Sequence, residues 1–210
     1  MNWNDYFAMM EDWKQLPAYR AEPRIDSFIG FYLPDMLADF CGEKMTGIIP
    51  ELPIRLGTVK PHLNEESYAD KSCKVDFYLL GESGKHYFVE FKTDSGSRRD
   101  AQDTYLDEAK QAGMASVVKG ILRIVSVSSY KRKYGHLRAK LLGLGLIDRD
   151  GMFIGKTDTI EIVYVQPQRK DGDKGRGFDF MCVSKWLTER FGQSEFETAL
   201  AKALAHWATD

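Results

Sequence analysis

The sequence predicts a mixed α/β fold, an α+β arrangement built on a mixed sheet, and three observations predict it. Two aromatic and β-branched runs, residues 74–80 and 86–94, flank the segment Gly81-Glu82-Ser83-Gly84-Lys85 and read as a β-hairpin. The run 160–166, Ile-Glu-Ile-Val-Tyr-Val-Gln, reads as a buried strand that Pro167 ends. Around these strands, apolar residues recur at the spacing of amphipathic helices.

Taken in order, residues 3–16 place Trp3, Phe7, Met10 and Trp13 on one helical stripe, with Pro17 as a stop. Such an aromatic stripe belongs to a core or a dimer contact rather than to a ligand site. Residues 23–41 form the next helix, through Ile25, Phe28, Ile29, Tyr32, Leu33 and Met36. Pro34 is expected to kink or split it, and Gly42 suits its end. Residues 48–60 read as an irregular first strand, placed at an edge because Pro50 and Pro53 cannot donate to a ladder. Residues 61–73 are polar and read as a loop.

Beyond the hairpin, helix is expected over 98–112, with Ala101, Tyr105, Ala109 and Ala112 on one face. Residues 114–127 continue at helical period, although 121–127 is β-rich. Residues 129–142 gather Lys131, Arg132, Lys133, Arg138 and Lys140 around Tyr134, Leu137, Leu141 and Leu142, a basic amphipathic helix ended by the glycines at 143 and 145. Residues 148–151 read as a turn. The charged, Gly-rich loop 168–177 lacks the Gly-Lys-Ser/Thr ending of a phosphate-binding loop. A short strand is expected over 178–183. Two closing helices start near Ser184 and Ser194, the second with a Ser194-x-x-Glu197 capping box.

Composition sets bounds. The chain has 210 residues, 43% hydrophobic and 29% charged, which suits a single domain over residues 1–210. With 29 Lys and Arg against 31 Asp and Glu the net charge is −2, less basic than a dedicated nucleic-acid binder. Cys41, Cys73 and Cys182 lie far apart with no zinc or iron–sulfur spacing, and suit a reduced, cytoplasmic protein. The first residues show no signal-peptide pattern, and no apolar run approaches the roughly 20 residues of a membrane span, so no membrane partner is expected. The histidines 62, 86, 136 and 206 show no ligand spacing and support no nucleophile triad.

The chemistry concentrates in the hairpin. Successive side chains on a strand alternate faces, so Glu90 and Lys92 share one face of the second strand while Phe91 takes the other. If the hairpin folds symmetrically about Ser83, Asp76 and Glu90 lie opposite each other, because each is seven residues from the centre. Carboxylates facing each other at roughly 4.5–5.5 Å between Cβ atoms repel unless a cation lies between them. A hard ion such as Mg²⁺ takes one or two carboxylates plus waters and substrate phosphate. A lysine beside it can orient a water and stabilise charge on a phosphate. A solvated Glu–Lys face is the plainer reading, but Tyr78, Leu80 and Phe88 interleave with the charges and point to a covered face.

An Asp on one strand and Glu-x-Lys on the next resembles the PD-(D/E)XK, or restriction-endonuclease-like, nuclease superfamily. Val75, preceded by Lys74, stands where the motif has its proline. The resemblance implies an αβββαβ core, with further helices at the N- and C-terminal ends. It implies Asp76 and Glu90 as ligands of Mg²⁺ or Mn²⁺, the Phe91 carbonyl as a further ligand, and Lys92 as the group that positions the attacking water. Asp26, on the helix before the sheet, is the candidate accessory acid. Arg98, Arg99, Lys131, Arg132 and Lys133 are the candidate contacts to nucleic acid, with DNA expected, and Gln102, Tyr105 and Lys110 are placed to look toward the site. A catalytically silent nuclease-fold module, binding nucleic acid or a protein partner, is the alternative, and a homodimer stays open.

Overall fold

The computed structural model describes residues 2–14, 22–63, 69–94, 100–169 and 176–209. Its elements, in order, are α1 (Trp3–Lys14), α2 (Glu22–Cys41), β1 (Met45–Arg55), α3 (Leu56–Val59), β2 (Ser72–Gly81), β3 (His86–Phe91), α4 (Asp100–Val127), α5 (Lys131–Gly143), β4 (Ile160–Gln166), β5 (Arg176–Asp179), α6 (Phe180–Phe191) and α7 (Glu195–Trp207). The strands form one mixed sheet in the order β1-β2-β3-β4-β5. β1 pairs antiparallel with β2, β2 antiparallel with β3, and β4 parallel with β5. His86 N donates to Thr159 O and Lys92 N to Val165 O, so the partners of β3 and β4 advance together, as parallel neighbours do. The mixed α/β class expected from the sequence is therefore observed.

The chain divides into two compact units. The first comprises Met1–Met36, Phe91–Arg98 and Val163–Asp210, and the second Leu37–Glu90 and Arg99–Ile162. In the first unit Phe7 and Met10 of the α1 stripe are buried. Trp3 lies 4.7 Å from Phe196 between ring centroids, Phe28 lies 5.1 Å from Phe196, and Trp207 is fully buried. Edge-on pairs of this kind contribute about 0.5–1.5 kcal/mol each beyond their burial. α2 runs unsplit through Pro34, and Gly42 closes it at φ +71.

Four expectations are corrected here. Residues 56–59 leave the first strand for the short helix α3, and at the junction Arg55 donates from Nε to Ala69 O at 3.1 Å. Residues 180–183 are helix, not strand, because the Asp179 side chain caps α6 by accepting from Cys182 N at 2.7 Å. The capping box at Ser194 is not made: its hydroxyl bonds the Glu197 carboxylate, which Tyr32 Oη also engages at 2.6 Å. The buried face of the first half of α4 is Leu106 and Ala109, while Ala101 is exposed.

In the second unit, β1 is the edge strand and carries both prolines. Gly113, at φ +79, breaks the ladder of α4 where the sequence divides two helical runs. On β3, His86 is fully buried, with Nε2 at 3.0 Å from Thr157 O and Nδ1 at 2.9 Å from Tyr78 Oη. A carbonyl only accepts, so Nε2 carries the proton and Nδ1 accepts from the phenol. Burial holds this imidazole below the usual histidine value of 6.5, against the opposing pull of Thr157.

The unfolded chain thus binds a proton that folded His86 refuses. Its contribution to stability is complete above about pH 6.5 and is lost as the pH falls toward the depressed folded value. Urea unfolding of the parent protein at pH 7.5 and pH 5.5 should show this loss, and His86→Gln should remove that part of it. An identical pH slope in both proteins would count against the assignment.

Candidate active site

The hairpin turn sets the geometry on which the second unit's acids depend. Gly84 adopts φ +91, and β2 and β3 pair as Phe77↔Val89, Tyr78↔Phe88, Leu79↔Tyr87 and Leu80↔His86. This register is centred on Ser83, and its next step sets Asp76 opposite Glu90. Opposed residues share a face, here the face of Tyr78, His86 and Phe88. Glu90 is fully buried and Asp76 half-buried.

α4 covers this face. Gln102 donates from Nε2 to Glu90 Oε2, and Tyr105 donates from its hydroxyl to Lys74 O at 2.9 Å. The Tyr105 phenol is held above its ordinary range by burial first, then by the charge of Glu90, and more weakly by Cys73 and Asp76. Burial, with Glu90 adding to it, also pushes the Cys73 thiol up to about 11. Both carboxylates therefore act on one phenol. Lys110 is exposed.

The boundary between the units falls between Glu90 and Phe91, so Lys92 belongs to the first unit. Its side chain is buried at 4% exposure, with Nζ donating to Phe91 O at 2.9 Å and 3.6 Å from Glu22 Oε2. Glu22, one helical turn before Asp26 on α2, is thus the acid beside this lysine. Asp26 Oδ1 accepts from Ser27 N at 2.5 Å. The helix expected from the sequence starts at residue 23 and leaves Glu22 outside it; on α2 Glu22 and Asp26 are four residues apart and share a face.

Of the candidate phosphate contacts, Arg98 and Arg99 lie outside the described residues. Lys131 donates to Ser126 O at 2.9 Å, Arg132 is exposed, and Lys133 lines a cleft against β1 and β2. Among the described residues no group of three or more His, Cys, Asp and Glu side chains is gathered to hold a metal. The hairpin offers a carboxylate pair instead, a donor set that suits a hard, water-retaining ion.

Comparison with known protein families, with curated proteins and with solved structures finds no match to this chain. What the site can do rests on its own residues. No helix among the described residues is long and apolar enough to cross a membrane.

The surroundings of Lys92 predict an asymmetry between two lysines. Lys92→Met keeps the aliphatic stem but leaves Phe91 O without that donor, and should cost about 1–3 kcal/mol. Lys185→Met removes an exposed i,i+4 pair with Glu189 and should change stability by less than about 0.5 kcal/mol. Urea midpoints of the two variants measure the difference, and equal values would contradict the role assigned to the buried amine.

Proposed function

We propose that this chain hydrolyses phosphodiester bonds in nucleic acid, DNA foremost, on a restriction-endonuclease-like αβββαβ core. Asp76 and Glu90 hold Mg²⁺ or Mn²⁺, with the Phe91 carbonyl as a further oxygen ligand, and Lys92 positions the attacking water. The observation that supports this reading is the hairpin register, which runs from Leu80↔His86 to Phe77↔Val89 and, continued by one pair, would set Asp76 opposite the wholly buried Glu90. Facing carboxylates repel each other, and a divalent cation shared between such a pair would offset that repulsion.

When bound, the ion lowers the pKa of water and neutralises charge on the phosphate. The chain's own residues do the rest. Gln102 fixes the rotamer of Glu90 through its amide, so the carboxylate presents its remaining lone pairs in one direction. Tyr105, tied to the Lys74 carbonyl, holds α4 against the strand that carries Asp76. The Lys92 ammonium, held at the Phe91 carbonyl, supplies positive charge where the phosphate oxygens become more negative.

A second reading is favoured by one observation: Glu22 also engages that ammonium, as in a purely structural ion pair. In that case the chain is a silent nuclease-fold module that binds nucleic acid or a protein partner.

One pair of variants separates the readings. With Mn²⁺ present, the parent protein should nick plasmid DNA. Asp76→Ala and Lys92→Ala should each lower the rate by on the order of a hundredfold or more, with circular dichroism unchanged. Calorimetric titration should show Mn²⁺ binding lost in Asp76→Ala and kept in Lys92→Ala. Cleavage retained by both variants rejects the mechanism, and a parent protein that neither binds Mn²⁺ nor nicks DNA is the silent module.

A further inference from the structure

The second unit carries a feature that the hydrolytic site does not use. α5 stands against the edge of the sheet and leaves a cleft of ≈ 460 Å³ between itself, β1 and β2. Pro53 and Lys74 form its floor and are register partners across β1 and β2. Lys74 precedes Asp76 by two residues on β2, so it stands on the same sheet face as that carboxylate. The cleft therefore shares a sheet face with Asp76, which does not itself line it.

Its opposite wall is one stripe of α5. Tyr130, Lys133, Tyr134 and Lys140 all line the cleft, at the three- and four-residue steps of one helical face. Tyr130 is 68% exposed, a large ring held at the helix start with no ring stacked on it among the described residues. The acid in the cleft, Glu51, is matched by Lys74 at 2.5 Å. Lys133 and Lys140 then leave the rim positively charged, and no acid is paired with either among the described residues.

Two phenol rings and proline faces along the walls, with ammonium groups at the rim, match one kind of occupant. An unstacked nucleotide strand offers flat bases to aromatic side chains and a phosphate to each lysine. A duplex keeps its bases stacked inside and would leave the rings without a partner.

We propose that this cleft binds single-stranded nucleic acid, with bases against Tyr130 and Tyr134 and phosphates on Lys133 and Lys140. The inference rests on the hydrolytic reading and names the form in which substrate approaches Asp76: a single strand fed along the sheet face.

Fluorescence anisotropy on the full chain in EDTA tests it, using labelled 12-nucleotide oligo-dT, oligo-rU and a duplex of equal length. Oligo-dT should bind at least about tenfold more tightly than the duplex. Tyr130→Ala combined with Tyr134→Ala should weaken it by about tenfold or more. Lys133→Ala combined with Lys140→Ala should flatten the slope of log affinity against log salt by about 1.4. Equal binding of oligo-rU assigns the cleft to single strands in general, and weaker binding assigns it to DNA. Lys133, Tyr134 and Lys140 lie on α5 and Tyr130 is its N-cap, and thermal melting checks that the variants fold.

Oligo-dT binding in EDTA and Mn²⁺-dependent cleavage are read separately, which keeps the two hypotheses apart. Loss of cleavage in Asp76→Ala with no binding of single strands by the parent overturns the cleft and leaves the metal site standing. Duplex bound as tightly as single strands, or unchanged affinity in the tyrosine variant, also overturns it.

Discussion

The turn around Ser83 is the constraint on which the rest of the hairpin depends. Its geometry is fixed from both sides. Gly84 takes a positive φ that a side chain would strain, and a Cβ there would also meet Lys156. From the other side, the Glu43 carboxylate accepts from Ser83 N at 3.1 Å and from Tyr87 Oη at 2.5 Å. Those bonds hold Glu43 ionised to a pH below the ordinary carboxylate range, despite the opposing effect of burial. A slip by one residue would turn Glu90 to the opposite face and bring Val89 into its place, so the pairing of acids and the register are one property.

The face that carries those acids is polar in an ordered way. Tyr78, His86 and Glu90 are all buried on it, and each has a named partner: the His86 ring, the Thr157 carbonyl and the Gln102 amide. Hydrogen bonds between polar groups in a low-dielectric interior hold them in a single arrangement, at the expense of stability that apolar residues would have supplied. The opposite face, with Val75, Phe77, Leu79, Tyr87, Val89 and Phe91, is packed with aliphatic and aromatic side chains. The sheet thus has one face specialised for packing and one for positioning charge.

Much of this was legible in the residues. The β-branched run 160–166 became β4 without change, and the symmetric spacing around Ser83 gave the hairpin register. Pro50 and Pro53 announced an edge strand, and the helical runs 98–112 and 114–127 meet at Gly113, where α4 breaks. What failed did so for tertiary reasons. Phe178 to Val183 is β-rich in composition, yet an Asp179 carboxylate aimed at Cys182 N starts a helix there. Glu197 has the capping-box spacing, but a phenol 165 residues away in sequence claims its carboxylate. The partner of Lys92 was illegible for the same reason: periodicity gives the face of a helix, not the depth at which each acid sits. The cleft against α5 was hidden because Tyr130 lies outside the apolar repeat that marked the helix.

The interruption at Gly113 has a consequence for how α4 behaves over time. After the break, Ala115 N finds Asp158 Oδ1 at 2.5 Å and Met114 N finds Asp158 O at 3.1 Å, so the second half begins with its own cap. That half carries the deeply buried Val117, Ile121 and Ile124, while Gln102 and Tyr105 ride on the half before the break. The two halves do not share a continuous ladder, so the leading turns can fray and re-form while the trailing turns stay shut. Amide exchange along this single rod would then report two opening energies, and the groups nearest the carboxylates would belong to the lower one.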